Sequence, residues 1–391
     1  MHAVRRELDV LIVGAGASGL SLAVRLARRT SLRVRLIELR DGPSDDRTFC
    51  FFRSRPHPFE RAIVRRYGEI EVRDRTRRVR RTLREHPYEE LPGLAFAEHA
   101  LAELASCPRV ELSWRVGMSG LDERADHVEV ETSAGSLRAA LVVDARGGEA
   151  NVRASGRDVH WLQHFVGHVV RTERPIFTPG VATLMDFDVA QDDGPHFVYV
   201  LPSSAHEALV EDTYFSATPL PVAHYEAGIA RWLGERGAGA YEVLRREMGR
   251  IPMTSAPLVR DERSRVITIG QRGGAAKPSS GYAFQFIQRQ CDALAASIAR
   301  AGADAPPPWV PPRSRVTTFF DRVMLAYLRR HPTAAPDVFV PLFERVPPDA
   351  LARFLSEEGT ALDHARVMNA VPRAGVLGEA LRSSAIWARP R

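Results

Sequence analysis

The order strand, glycine turn, helix, strand, acid near the amino end constrains this chain more than any other feature. Leu8-Asp9-Val10-Leu11-Ile12-Val13 is a short apolar run of the kind that becomes a strand buried on both faces. Gly14-Ala15-Gly16-Ala17-Ser18-Gly19 follows without a break, and Leu20 to Arg29 carries aliphatic residues suited to a helix lying on that sheet. Arg33-Val34-Arg35-Leu36-Ile37 is the second strand, and it ends at Glu38. The spacing has a mechanical reason. The first glycine turns the chain, the second lets backbone approach a pyrophosphate, and the third lets helix and strand pack closely. The pyrophosphate then rests on the helix N-terminus, where free N–H groups and the dipole favour anions. Gly14, Ala15, Gly16, Gly19 and Glu38, the last facing the adenosine ribose hydroxyls, are therefore expected to hold a dinucleotide.

Two later strands favour FAD over a nicotinamide as that dinucleotide. Leu141-Val142-Val143-Asp144-Ala145-Arg146-Gly147 ends on Asp144, and Val266 to Gly270 enters a glycine-rich loop. Three nucleotide-facing elements so far apart suit a long cofactor threaded through a large flavoprotein. The fold expected is α/β: a Rossmann-type FAD-binding domain with an inserted antiparallel β-sheet substrate domain and a C-terminal helical region. The boundaries read as 1–155 for the first part of the FAD domain (with a basic insertion, 53–94), 156–260 for the sheet domain, 261–303 for the second FAD part and 304–391 for the helical region. Alternating, aromatic runs at 164–170, 182–187, 196–202 and 208–214 carry the sheet assignment. Helices are expected at 95–105, 281–300, 319–330, 336–345, 348–357 and 362–370, with Ala305 to Pro312 a stiff connector.

Bulk properties narrow the partners. A formal charge of +6 suits an anionic partner, and the arginine-dense 61–84 interval reads first as a solvated edge or loop, second as a patch facing anionic lipid. Nucleic acid is not expected, because no basic stripe with stacking aromatics sits on a recognised module. Cys50, Cys107 and Cys291 are too scattered for a disulfide framework or zinc site. His160, His164, His168, His196 and His206 form no metal-ligand pair, so no metal is expected. No apolar stretch reaches the roughly 20 residues of a membrane span, and a strand pattern begins by Leu8 without a signal-peptide core. A cytoplasmic chain, peripheral on the inner membrane, is the expectation. Among 54 cationic side chains only Lys277 is a lysine, within Gly274-Ala-Ala-Lys-Pro-Ser-Ser-Gly-Tyr282. A compact ammonium is not interchangeable with a guanidinium fork, which makes this loop a candidate ligand site.

Taken in order, Gly14 to Gly19, Asp46-Arg47-Thr48-Phe49-Cys50-Phe51, Val143-Asp-Ala-Arg-Gly147, Phe165-Val-Gly167, Leu184-Met-Asp186, Phe197-Val-Tyr199, Val210-Glu-Asp-Thr213, Gly274 to Tyr282 and Arg353 to Thr360 resemble the bacterial lycopene β-cyclase family. The likeness is collinear over nearly the whole chain. It implies an FAD enzyme without net redox chemistry, active with reduced flavin that NAD(P)H supplies, closing the ψ end groups of lycopene to β-ionone rings. Arg47, Thr48, Asp144, Gly270, Lys277, Pro278 and Gly281 join the cofactor site on this reading, with Lys277 a cation beside the flavin where many members of the family carry histidine.

For the acid, the family's acidic motif falls on Glu211 and Asp212. Strand neighbours point to opposite faces, so one of the two faces substrate; Glu211 is expected to be the acid, kept protonated by burial. Asp186 is a second candidate, structural or assisting. Phe197, Tyr199, Phe215, Phe284 and Phe286 are candidate walls of a polyene tunnel. Alternatives are the same chemistry on another polyprenyl chain, an FAD monooxygenase and a carrier that binds polyene without turnover. Gln271 stands where many aromatic hydroxylases place an acid, which argues against the monooxygenase. One or two ring closures, β or ε rings, NADH or NADPH, and the oligomeric state stay open.

Overall fold

A computed structural model describes residues 8–153, 155, 158–192, 194–259, 263–308 and 313–387. The last four residues of the expected connector, 309–312, lie outside these.

The amino-terminal pattern folds as its spacing demands. Leu8–Val13 is flanked in parallel by Val34–Glu38 and Gly135–Asp144, and Val110–Trp114 extends the sheet in parallel beyond Val34–Glu38. The far half of Gly135–Asp144 pairs in parallel with Val266–Thr268, while its near half turns antiparallel against Val128–Thr132 and then Met118–Glu123. The helices Ala17–Arg29, Gly93–Leu104 and Phe284–Ala301 cover one face, so Val10, Ile12, Leu22, Val24, Ile287 and Ile298 are buried in one apolar layer. Central strands covered on both faces carry unbroken aliphatic runs, the pattern that Leu8–Val13 shows.

The second sheet has the spatial order Tyr241–Thr254, His160–Thr172, Glu207–Ser216, His196–Pro202, Val181–Asp186, Glu69–Arg73, Arg78–Thr82. All neighbours are antiparallel except Val181–Asp186 with Glu69–Arg73. The arginine-dense interval is thus not confined to the first domain: Arg65–Tyr67 joins a small sheet, while Glu69–Arg73 and Arg78–Thr82 close the second sheet as an edge hairpin, the first of the two expected readings, with Arg78 and Arg80 both held on buried Glu71. Charged edge strands resist pairing with other chains. A three-stranded sheet, Thr48–Phe52, Tyr88–Pro92 and Arg65–Tyr67, links the two larger ones.

The carboxyl end forms the helices Arg315–Arg330, Ala335–Arg345, Pro348–Leu355 and Ala361–Ala370, as the apolar periodicity predicts, and a further helix, Arg373–Trp387, that was not foreseen. Ser314 caps the first through the Thr317 N–H, and Thr360 with Asp363 forms a capping box on the fourth. Val323, Val338, Phe339, Leu351 and Phe354 pack with Leu184, Phe197 and Phe215 of the second sheet in one core.

Candidate active site

The glycine turn, the small sheet and the second sheet open onto one cavity of about 590 Å³. Its wall includes Gly16, Ala17 and Ser18 from the turn, Arg47, Thr48, Phe49 and Cys50 from the small sheet, and Leu184, Phe197, Tyr199, Glu211 and Phe215 from the second.

At the turn, Gly14 has φ +106°, and a Cβ there would press within 3.1 Å of the Ala145 backbone. One on Gly19 would collide with the Gly14 carbonyl oxygen, whereas one on Gly16 would meet nothing. The open space lies where the helix begins: Gly16 caps Ala17–Arg29 without a side-chain bond, leaving its first N–H groups for an anion. Glu38 is fixed beside the turn, accepting from the Ala15 N–H at 2.7 Å and from Arg40 at 3.1 Å and 3.2 Å. Burial would raise its pKa; the N–H groups of Arg40 and Ala15 and the Arg40 guanidinium outweigh that and hold it below the usual range. Asp144 is gripped by Arg146 at 2.9 Å and 2.8 Å, and it is Ala145 and Arg146 that reach the cavity. Arg47, Thr48 and Gly281 line it; Gly270 lies behind, its N–H donated to Gln290. These donors and this space fit a dinucleotide's pyrophosphate and ribose.

Glu211 and Asp212 part as strand geometry requires. Asp212 faces away from the cavity, beneath the Val222–Glu235 helix, where Oδ1 meets His196 Nε2 at 2.5 Å; Gly228 leaves room for it, since a Cβ there would strike the carboxylate. Asp186 is on that side too, bound to Arg73 at 2.9 Å, Arg236 at 2.6 Å and the Trp232 indole N–H at 2.8 Å. Both aspartates pin elements outside the cavity, so neither is placed to meet a substrate inside it.

Glu211 reaches the cavity and is buried. Burial first, and the charge of Glu247 second, push its pKa well above the carboxylate range; Arg245 opposes them. Glu247 escaped the sequence reading. In register both glutamates lie beside Gly167 of the strand between them. A Cβ on Gly167 would come within 2.9 Å of Glu211 Cγ and 3.1 Å of Glu247 Cγ. A glycine inside a strand marks such close approaches, so Gly167 in Phe165-Val-Gly-His was the available signal. Glu247 Oε2 accepts from Arg245 at 2.6 Å and Thr48 Oγ1 at 2.8 Å.

Around Glu211 the wall is mostly apolar or neutral, the cations Arg47, Arg146 and Arg250 lining other parts of the cavity. Burial raises the pKa values of Cys50, Tyr88, Tyr199 and Tyr282, and the Tyr199 hydroxyl donates to that of Tyr88 at 3.0 Å. Of the aromatic candidates, Phe197, Tyr199, Phe215 and Phe284 line the cavity. Phe286 instead faces the cations Arg289 and Arg313.

Lys277 does not join the cavity wall. Its ammonium is fully buried and turned into the helical region, 2.7 Å from Asp321 and 3.8 Å from Glu357, and Arg313 bridges the same two carboxylates. The expected cation beside the cofactor ring is therefore a structural one, and Pro278 next to it is likewise off the cavity. The backbone of this loop still shapes the cavity through Ser280 and Gly281.

Comparison with known proteins decides what this arrangement belongs to. A family model described as lycopene cyclase protein matches residues 9–380. The chain belongs to that family. Among its relatives are lycopene beta-cyclases from Paracoccus sp. strain N81106, 29% identical over 96% of both chains, and from Pantoea ananas, 26% identical over 94% of this chain and 96% of the other. Solved structures share the fold: a geranylgeranyl bacteriochlorophyll reductase-like protein from Thermoplasma acidophilum (TM-score 0.66, 12% identity, 96% and 99% covered) and a flavoprotein/dehydrogenase from Cytophaga hutchinsonii (TM-score 0.62, 14% identity, 93% and 99% covered). Among the described residues, Glu211 is the one carboxyl that lines the cavity.

Proposed function

We propose that this protein is an FAD-dependent lycopene β-cyclase in which Glu211 is the proton donor. The observation that carries the reading is a carboxyl kept protonated by burial on the wall of an otherwise uncharged, aromatic part of the cavity that begins at a dinucleotide-type turn. Glu211 gives its proton to the terminal double bond of a ψ end group. The π pair of the neighbouring double bond forms the ring bond, and the electron pair of a ring C–H bond then forms the ring double bond. The released proton returns to the Glu211 carboxylate, so neither protons nor electrons are consumed. Phe197, Tyr199 and Phe215 exclude water and offer ring faces to the passing cation.

Gly14, Ala15, Gly16, Gly19 and Glu38 would hold the adenosine and pyrophosphate of FAD, with Arg47, Thr48 and Gly281 nearer the reacting end. Bound and reduced, with NAD(P)H as reductant, FAD would supply negative charge beside the developing cation. A bilayer-soluble substrate and the net charge of +6 support docking on the anionic cytoplasmic face of the inner membrane.

The test is anaerobic incubation of the protein and FAD with lycopene in liposomes, with and without chemical reduction, followed by pigment chromatography. Ring-closed product with reduced flavin, and none from Glu211→Gln, is the expected result. No cyclic product from lycopene would move the reading to another polyprenyl chain; an oxygen-dependent hydroxylated product would replace it with a monooxygenase.

A further inference from the structure

Glu247 does not touch the cavity, yet it is the nearest charged partner of the group that does. It comes from Tyr241–Thr254, two strands away from Glu211 on Glu207–Ser216, and the His160–Thr172 strand runs between them. Side chains two strands apart do not ordinarily meet, because an intervening residue fills the space. Here the intervening residue is Gly167, and the two carboxyl side chains close over it, with a Cβ on Gly167 standing 2.9 Å from Glu211 Cγ and 3.1 Å from Glu247 Cγ, so that the charge of Glu247 bears on Glu211. Two carboxylates held this close repel each other, and one proton held by one partner relieves that repulsion.

The surroundings decide which partner holds it. Glu247 is 4% exposed and has Arg245 and the Thr48 hydroxyl on Oε2, while Oε1 is buried without a hydrogen-bond partner. Arg245 also donates to Thr48 at 3.0 Å, and Arg47 adds a second cation near Glu247. The groups facing Glu211, by contrast, are the neutral Cys50 and Tyr199, with Arg245 beyond Glu247. Cations thus gather on the Glu247 side and neutral walls on the Glu211 side, the environment that pushes the proton affinities of a carboxyl pair apart.

We propose that Glu247, brought against Glu211 over Gly167, is the fixed anion that keeps the working proton on Glu211, and so is a positioning residue for the cyclisation. It rests on the reading of Glu211 as acid. The same anion makes the Glu211 carboxylate, once its proton has left, a stronger base toward the ring proton. Two adjacent anions are costlier than one, and taking the proton back relieves that repulsion. Arg245 is 21% exposed and lies 3.5 Å from the more exposed Asp45, so the charge balance of the pair is anchored outside the cavity.

The test is the infrared carbonyl band of a protonated carboxylic acid, followed through a pH titration of the FAD-bound protein and assigned to Glu211 by its loss in Glu211→Gln. In the native chain the band should persist through neutral pH. In Glu247→Gln its midpoint should fall by at least one pH unit, a tenfold rise in acid dissociation, because the anion beside Glu211 is gone and Arg245 keeps only the more exposed Asp45 opposite it. Glu247→Asp keeps the charge and should recover part of the shift, which a merely structural role would not produce. The alkaline limb of the cyclisation rate should move with the band. An unchanged midpoint in Glu247→Gln, or equal midpoints in the Gln and Asp variants, would overturn the proposal. The titration needs no turnover, so a failure of lycopene to react leaves this result standing, while turnover with an unmoved midpoint sinks the pairing alone.

Discussion

Replacing Lys277 by methionine should destabilise the protein by roughly 3 kcal/mol, the low end of the cost of stripping one partner from a buried ion pair. Lys277, Arg313, Asp321 and Glu357 form a buried group of two cations and two anions, and at its rim the half-buried Arg289 reaches Glu357 at 3.4 Å with Glu358 as its own counter-anion, so the charges balance. Burial would raise the pKa of Asp321, and the charges of Arg313 and Lys277 reverse it to hold the carboxyl below its usual range. Methionine matches the length of the lysine stem and fills the space, so the loss isolates the charge. Arg313 remains, which is why the low end applies. At about 2.1 cal/mol/K per residue the unfolding entropy of 391 residues is ~0.8 kcal/mol/K, so the melting temperature should drop by ~4 °C. Differential scanning calorimetry of Lys277→Met, Asp321→Asn and the double variant checks it. The double variant leaves Arg313 with Glu357, again balanced, and should regain at least half of the lost stability. A single variant that melts within one degree of the native chain, or a double variant no better than the single, would refute the reasoning.

Other expectations concern the cavity. Folding raises the pKa of Glu211 above the ordinary 4.5, so the folded chain keeps a proton that the unfolded chain releases. The stability tied to this group is complete below the unfolded pKa and declines as pH rises toward the folded one. Glu211→Gln should therefore gain on the native chain in denaturant midpoint as pH is raised, with little difference near pH 4. Gly167→Ala inserts a methyl group between the two glutamates and should cost about 1–3 kcal/mol by denaturant unfolding, with a larger loss of turnover than of FAD binding. Glu38→Ala removes the acceptor of the Ala15 N–H and should weaken FAD binding roughly tenfold to a hundredfold in a fluorescence titration.

What was legible in the sequence was local in the chain. Gly14, Gly19 and Glu38 work within one strand–helix–strand unit, where spacing alone fixes geometry, and the C-terminal helices announce themselves by period. Glu211 against Asp212 followed from the two-residue alternation of a strand. The misreadings arise where meaning depends on a distant partner. Lys277 looked like a cofactor ligand because Asp321 and Glu357 lie 44 and 80 residues further on, and nothing in the loop names them. Glu247 sits in Leu244-Arg-Arg-Glu-Met248, where a charged stretch reads as solvent-facing; its burial depends on a glycine in another strand. The arginine-rich hairpin was missed as part of the second sheet because its parallel pairing with Val181–Asp186 spans more than 100 residues.

The neutral wall around Glu211 bears on the lifetime of the catalyst. The tertiary carbocation of the proposed mechanism would alkylate any strong nucleophile it met, and Cys50 together with four tyrosines, Tyr88, Tyr199, Tyr225 and Tyr282, stands on the surface of the chamber. As thiolate or phenolate each would capture the cation and end the enzyme's working life in a single event. Burial raises the pKa of all five and so favours their protonated, poorly nucleophilic forms. If the proposed cation forms here, that protonation protects the enzyme, and a substitution that lets water hydrate Cys50 would show itself as self-inactivation and a covalent mass adduct before it showed as a slower first turnover.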